Sequence, residues 1–188
     1  MKGILVTFLF AAICVCGCTT CAQAQAAAPT AAAPVKDPVT AGLRFLLPRR
    51  RDNTLGAISA MPTDKFGYKP TPDQMSFAHL VVHITEFDNS FCAKAADVPA
   101  PKVDEVKETD SKEKLLAAAT ASFDFCKDAL DKMDDSKLGD TIEILSGRQG
   151  PRAMADLILA SGWADHYATA AMYLRLNGIL PPSAQPKK

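Results

Sequence analysis

Three histidines are the side chains of this chain best suited to chemistry: His79 and His83, four residues apart, and His166 far downstream. A spacing of i, i+4 sets two side chains on one face of a helix. A third imidazole arriving from a neighbouring helix would complete the donor set of a four-coordinate divalent-metal centre with one position open. An ion held in that way lowers the pKa of a bound water or thiol and acts as a Lewis acid. Glu86, one turn beyond His83, and Asp165, beside His166, are the carboxylates placed to orient an imidazole through its second nitrogen. A plainer reading stands beside this one. Histidine pairs at this spacing are common accidents on helices, so that His79 faces solvent and His166 is a core histidine bonded to a carboxylate such as Glu86. No serine or cysteine nucleophile triad is recognisable. Gly147 and Gly150 lack the Gly-Lys-Ser/Thr ending of a phosphate-cradling loop and read as turn residues.

The elements that must position these groups follow from periodicity. Residues 151–182 open on Gly150-Pro151 and close on Asn177-Gly178 and Pro181-Pro182, the punctuation of a helix start and stop. The charged side chains between are Arg152, Asp156, Asp165 and Arg175 alone, which marks a buried helix of about seven turns. Trp163, Tyr167 and Tyr173 are its core aromatics, and Arg175 and Asn177 end it. An earlier helix spans 74–96, with Asp73 as a plausible N-cap and Phe77, Leu80, Ile84, Phe87 and Phe91 on its core face. A first helix covers about 40–60, with Leu43, Leu46, Leu47, Leu55 and Ile58 facing inward. Pro48 requires it either to kink or to begin near Arg49. A third helix starts at a Ser111 or Asp110 cap and carries Leu115, Ala119, Ser122, Cys126, Leu130 and Met133 along a narrow seam to about Asp134. Residues 62–73 form a proline-punctuated loop. Thr141-Ile142-Glu143-Ile144-Leu145 alternates and suits a short strand or hairpin before the last helix. The expected fold is an all-α four-helix bundle. The long connection at 97–110 permits a non-sequential helix order.

Composition bounds the function classes. The chain has 188 residues, is 48% hydrophobic and carries no net formal charge, which fits one domain with a real core. A neutral balance gives no electrostatic pull toward nucleic acid or anionic membrane, and Arg49-Arg50-Arg51 reads as a solvated helix face. Residues 1–24 have the form of a signal peptide: Lys2, an apolar run too short for a membrane span, then Ala22-Gln23-Ala24 as a cleavage site. A lipoprotein, acylated at Cys18 of Val15-Cys16-Gly17-Cys18, is the competing reading. Either places the mature protein outside the cytoplasm, periplasmic or extracellular. Residues 25–39 form an Ala/Pro-rich linker and 40–185 the domain. Cys92 and Cys126, the cysteines outside the leader, invite one disulfide in an oxidising compartment, with two small buried hydrophobes as the alternative.

Several of these stretches taken together resemble a known family. Met61-Pro62 with Asp64-Lys65-Phe66-Gly67-Tyr68-Lys69-Pro70-Thr71-Pro72, then Phe77 with His79-Leu80-Val81-Val82-His83-Ile84, then Asp165-His166-Tyr167, then Tyr173-Leu174-Arg175-Leu176-Asn177-Gly178-Ile179-Leu180-Pro181-Pro182 are similar in order and spacing to the DinB-like superfamily of damage-inducible, metal-binding four-helix bundles. The resemblance spans about residues 40–185. It implies a divalent metal, zinc or nickel, held by three histidines: one from the second helix and two from the last as an H-x-x-x-H pair. It also implies, for several members, transfer or isomerisation chemistry with a low-molecular-weight thiol, and bundles that often pair as homodimers. His83 matches the helix-two ligand and His166 the second of the terminal pair, but the position four before His166 is Gly162. Two expectations follow. One is a metal-dependent enzyme, of transferase or hydrolase type, acting on a small-molecule substrate with its ligands redistributed over His79, His83 and His166. The other is a scaffold without chemistry that binds a small molecule or an envelope protein in a cleft vacated around Gly162.

Overall fold

A computed structural model describes residues 33–186. Four helices carry the architecture: α1 (Pro38–Ala60), α2 (Phe77–Ala96), α3 (Lys112–Leu130) and α4 (Arg152–Leu176). Between the last two lies a hairpin of β1 (Thr141–Leu145) and β2 (Arg148–Pro151), paired antiparallel. Its turn uses Ser146 and Gly147, both at positive φ, where the glycine avoids the Cβ clash that a side chain would meet. The alternation at 141–145 is thus one arm of the hairpin that the sequence suggested. The described residues from Val35 onward form one compact unit.

α2 packs against both α3 and α4, and α1 packs against the same two helices, so α1 and α2 face each other across the bundle. The core between them is filled by Trp163, Tyr173, Phe77, Phe123, Ile58 and their neighbours, all fully buried. A disulfide joins Cys92 of α2 to Cys126 of α3 with Cα atoms 5.1 Å apart. The Met61–Pro72 stretch has a structural use. Phe66 meets Phe77 edge-on at 5.3 Å and Tyr68 meets Tyr173 at 6.1 Å, while Lys112 Nζ donates to the carbonyls of Ser59 and Met61 at 2.8 and 2.7 Å.

Local boundaries differ from the sequence reading at three places. α1 begins at Pro38 and runs unbroken through Pro48. Pro48 is exposed, so the carbonyl it leaves unpaired lies on the solvent side of the helix where water can satisfy it. α2 begins at Phe77, because Ser76 rather than Asp73 caps it: Ser76 Oγ accepts the His79 amide at 3.0 Å. The loop before it includes a single 3₁₀ turn, Thr63–Lys65. α3 ends at Leu130, and Met133 joins the core from beyond it. There Arg44 of α1 donates to the carbonyls of Leu130 and Met133. In return Asp135 accepts the amides of Val39 and Thr40, each at 2.9 Å, and so caps α1 from a distance in sequence.

Candidate functional site

His83 and His166 come together. Their rings meet edge to face with centroids 4.9 Å apart, one from the second turn of α2 and one from the middle of α4. His166 is half-buried, and its Nδ1 is buried with no hydrogen-bond partner. Burial, and then the neighbouring His83, push its pKa down to about 4, against a smaller opposing pull from Asp165. At neutral pH His166 is therefore an uncharged imidazole. Glu86 and Asp165 line the same open groove of about 470 Å³, whose apolar walls are Phe87, Phe91, Leu145 and Ile158. Among the described residues no hydrogen bond joins either carboxylate to an imidazole; both stand at the rim.

His79 lies elsewhere. It occupies the first turn of α2, its side chain is 55% exposed, and its Nδ1 sits 3.7 Å from Glu108 Oε2. The i, i+4 spacing sets its Cα–Cβ bond near that of His83, but the groove is not lined by His79. No group of three or more His, Cys, Asp or Glu side chains stands close enough to share one ion among the described residues.

The space expected to be vacant around Gly162 is filled. A Cβ built on Gly162 would overlap Cζ of Phe87 and come within 2.7 Å of its Cε1. The same ring packs edge-on to His166 at 4.7 Å and stacks on Phe91 at 4.6 Å. Phe87 is thus the partner that Gly162 exists to admit: only glycine lets a ring approach a helix backbone so closely. The helical periodicity places Phe87 on the core face of α2 without showing that it reaches this position.

Next to this contact lies a buried carboxylate that periodicity alone passes over. Asp88 is wholly buried and accepts hydrogen bonds from Trp163 Nε1 at 2.9 Å and from Ser122 Oγ at 3.3 Å. Burial pushes its pKa up to about 7, with those two donors working in the opposite direction. The pairs Phe87–Gly162 and Asp88–Trp163 are consecutive on both helices. The polar bond fixes the α2–α4 register that seats the Phe87 ring and brings the two imidazoles together. The signal in the sequence is an aspartate four residues from both Ile84 and Cys92, hence on the core face, in a chain with a single tryptophan.

The profile of the DinB superfamily matches residues 46–168. The chain belongs to the DinB superfamily. Two solved DinB-like proteins are similar to it. One, from Bacillus subtilis, is 18% identical with a TM-score of 0.61, over 78% of this chain and 99% of that one. The other, from Bacillus cereus ATCC 10987, is 14% identical with a TM-score of 0.62, over 76% and 95% of the two chains. At these identities the likeness is one of fold. No curated protein matches the chain. The DinB bundle accounts for the four helices. No helix among the described residues is long and apolar enough to cross a membrane.

Proposed function

We propose that this is an exported DinB-superfamily protein whose α2–α4 groove binds a small organic molecule against the paired imidazoles of His83 and His166. The observation that carries the reading is the Phe87 ring on Gly162. A three-histidine metal centre of the kind the family resemblance implies needs a ligand at that backbone position, and neither the residue nor the space fits. His79 cannot replace it while it faces Glu108. What remains is a groove of ligand size with aromatic walls, two imidazoles and two carboxylates that have no ion-pair partner among the described residues. His166, with its pKa held low, presents an uncharged imidazole to the groove rather than a positive charge.

One observation favours a second reading. The unpartnered Nδ1 of His166, beside a second imidazole, offers two donors to an exchangeable divalent ion such as zinc or nickel, with water, a substrate group or a low-molecular-weight thiol filling the other positions. Metal analysis of mature protein purified without an affinity tag separates the two. The organic-ligand reading expects well under one equivalent of zinc or nickel and ligand binding that survives a chelator. Stoichiometric metal, lost in both His83→Ala and His166→Ala, would replace it with the metal reading.

A further inference from the structure

The hydrogen bonds around Asp88 hold room for a proton. Ser122 Oγ lies 2.9 Å from the Ala119 carbonyl and 3.3 Å from Asp88 Oδ2, and a hydroxyl has a single hydrogen to give. With that hydrogen on the nearer carbonyl, the Ser122 oxygen is left as an acceptor. A proton on Asp88 Oδ2 then completes the run: Trp163 Nε1–H donates to Oδ1, Oδ2–H to Ser122, and Ser122 to Ala119. Without the proton Ser122 must turn to Asp88, and two neutral donors are all that face a full charge in a dry site.

No cation among the described residues pairs with Asp88. α3 presents Ser122 and the bridged Cys126, α4 presents Trp163, and α1 packs on those two helices. Glu86 on α2 and Asp124 on α3 are exposed. On α4, His166 and Asp156 stand one turn after and two turns before Trp163, and neither bonds to Asp88. Burial keeps the proton on Asp88 up to about pH 7.

The two sides of this carboxyl are held differently. One turn on from both Asp88 and Ser122, the Cys92–Cys126 disulfide ties α2 to α3 covalently. Toward α4 the adjoining contacts are the Phe87 ring on Gly162 and the edge-to-face imidazoles, all without hydrogen bonds. The polar ties that flank this level lie near the two ends of α2, from Arg152 to the Lys94 carbonyl and from Tyr173 to the Met75 carbonyl. The middle of the α2–α4 seam is therefore where water can reach a charge on Asp88.

We propose that Asp88 is a buried proton switch for the histidine groove: the neutral acid keeps Phe87 seated on Gly162, and release of its proton to solvent admits water along the seam and unseats the ring. The inference goes beyond the ligand reading, because it concerns the shape of the groove with or without an occupant. NMR of the native protein tests it. The Asp88 carboxyl carbon reports the proton, and the nuclear Overhauser contact between the Phe87 ring and the Gly162 α-protons reports the seat. That contact is expected at about pH 5 and lost by about pH 9, with the midpoint of the carboxyl titration. In Asp88→Asn, whose amide can still donate to Ser122, it should persist at both. Contacts between α2 and α3 beside the disulfide should hold throughout. Survival of the Phe87–Gly162 contact at the higher pH, or its loss with a midpoint away from that of Asp88, would overturn the proposal, and the native chain alone supplies both results. Its loss in Asp88→Asn would also overturn it, passing the effect to His83, His166 or Asp156. Loss of the α2–α3 contacts at the same pH would replace the switch with general unfolding.

Discussion

The Phe87 ring stands where any side chain at position 162 would have to go. Gly162→Ala should therefore show two opposed effects: helix propensity gains roughly 1 kcal/mol over glycine, and the displaced ring loses its packing, at about 1–3 kcal/mol. The expected outcome is net destabilisation in the native background and stabilisation of about 0.5–1 kcal/mol in Phe87→Ala, read as a coupling energy in urea unfolding. Independence of the two substitutions would mean that the ring does not rest on that glycine. The same logic governs metal. Gly162→His alone should add little zinc affinity, whereas Gly162→His with Phe87→Ala should raise it by at least about 10-fold by supplying a third imidazole. Competition against a chromophoric chelator measures it, and an equal gain in the single variant would show that Phe87 moves aside freely.

Among the elements, α1 depends on a residue nearly a hundred positions away. Its first amides end on the Asp135 carboxylate, so Asp135→Ala removes an N-cap and a favourable charge at the helix start together. The expected cost is about 1–2 kcal/mol, measured by chemical denaturation; Asp135→Asn, which keeps an acceptor, should recover part of it. α2 supplies the pH dependence. Asp88 has its folded pKa raised from 3.8 to about 7, chiefly by burial. The stability its protonated form contributes is full below about pH 4 and is lost as pH rises toward 7, on the order of 4 kcal/mol once ionisation is complete. Asp156, raised to about 6 by burial and then by Asp135, works in the same sense. Asp88→Asn should accordingly be more stable than the native chain at pH 8 and flatten the loss between pH 4 and 7. A variant whose stability tracks the native curve would assign that slope to other groups.

Across the whole molecule, the Cys92–Cys126 bridge ties α2 to α3 across a separation of 34 residues, which corresponds to about 3–4 kcal/mol in the chain-entropy account. Cys92→Ala with Cys126→Ala should lower the unfolding free energy by that amount in oxidised protein and leave reduced protein unaffected. Much of this architecture was legible in the sequence, because apolar periodicity, Pro and Gly punctuation and the alternating 141–145 run each encode a local geometry. What escaped was relational. Asp73 and Ser76 are equally good caps until the chain direction at Tyr68–Phe77 is known. Nothing in the spacing of His79 and His83 says that the first ring turns to Glu108. The glycine at 162 looked like missing bulk, because its partner, Phe87, lies 75 residues earlier and belongs to another helix. The single tryptophan has a practical corollary. Its indole N–H donates to Asp88, so tryptophan emission, excited selectively beyond the tyrosine band, comes from one emitter bonded to one titrating acid. An emission spectrum followed from pH 5 to 9 would then trace the ionisation of that carboxyl directly, without labels, and go silent in Asp88→Asn.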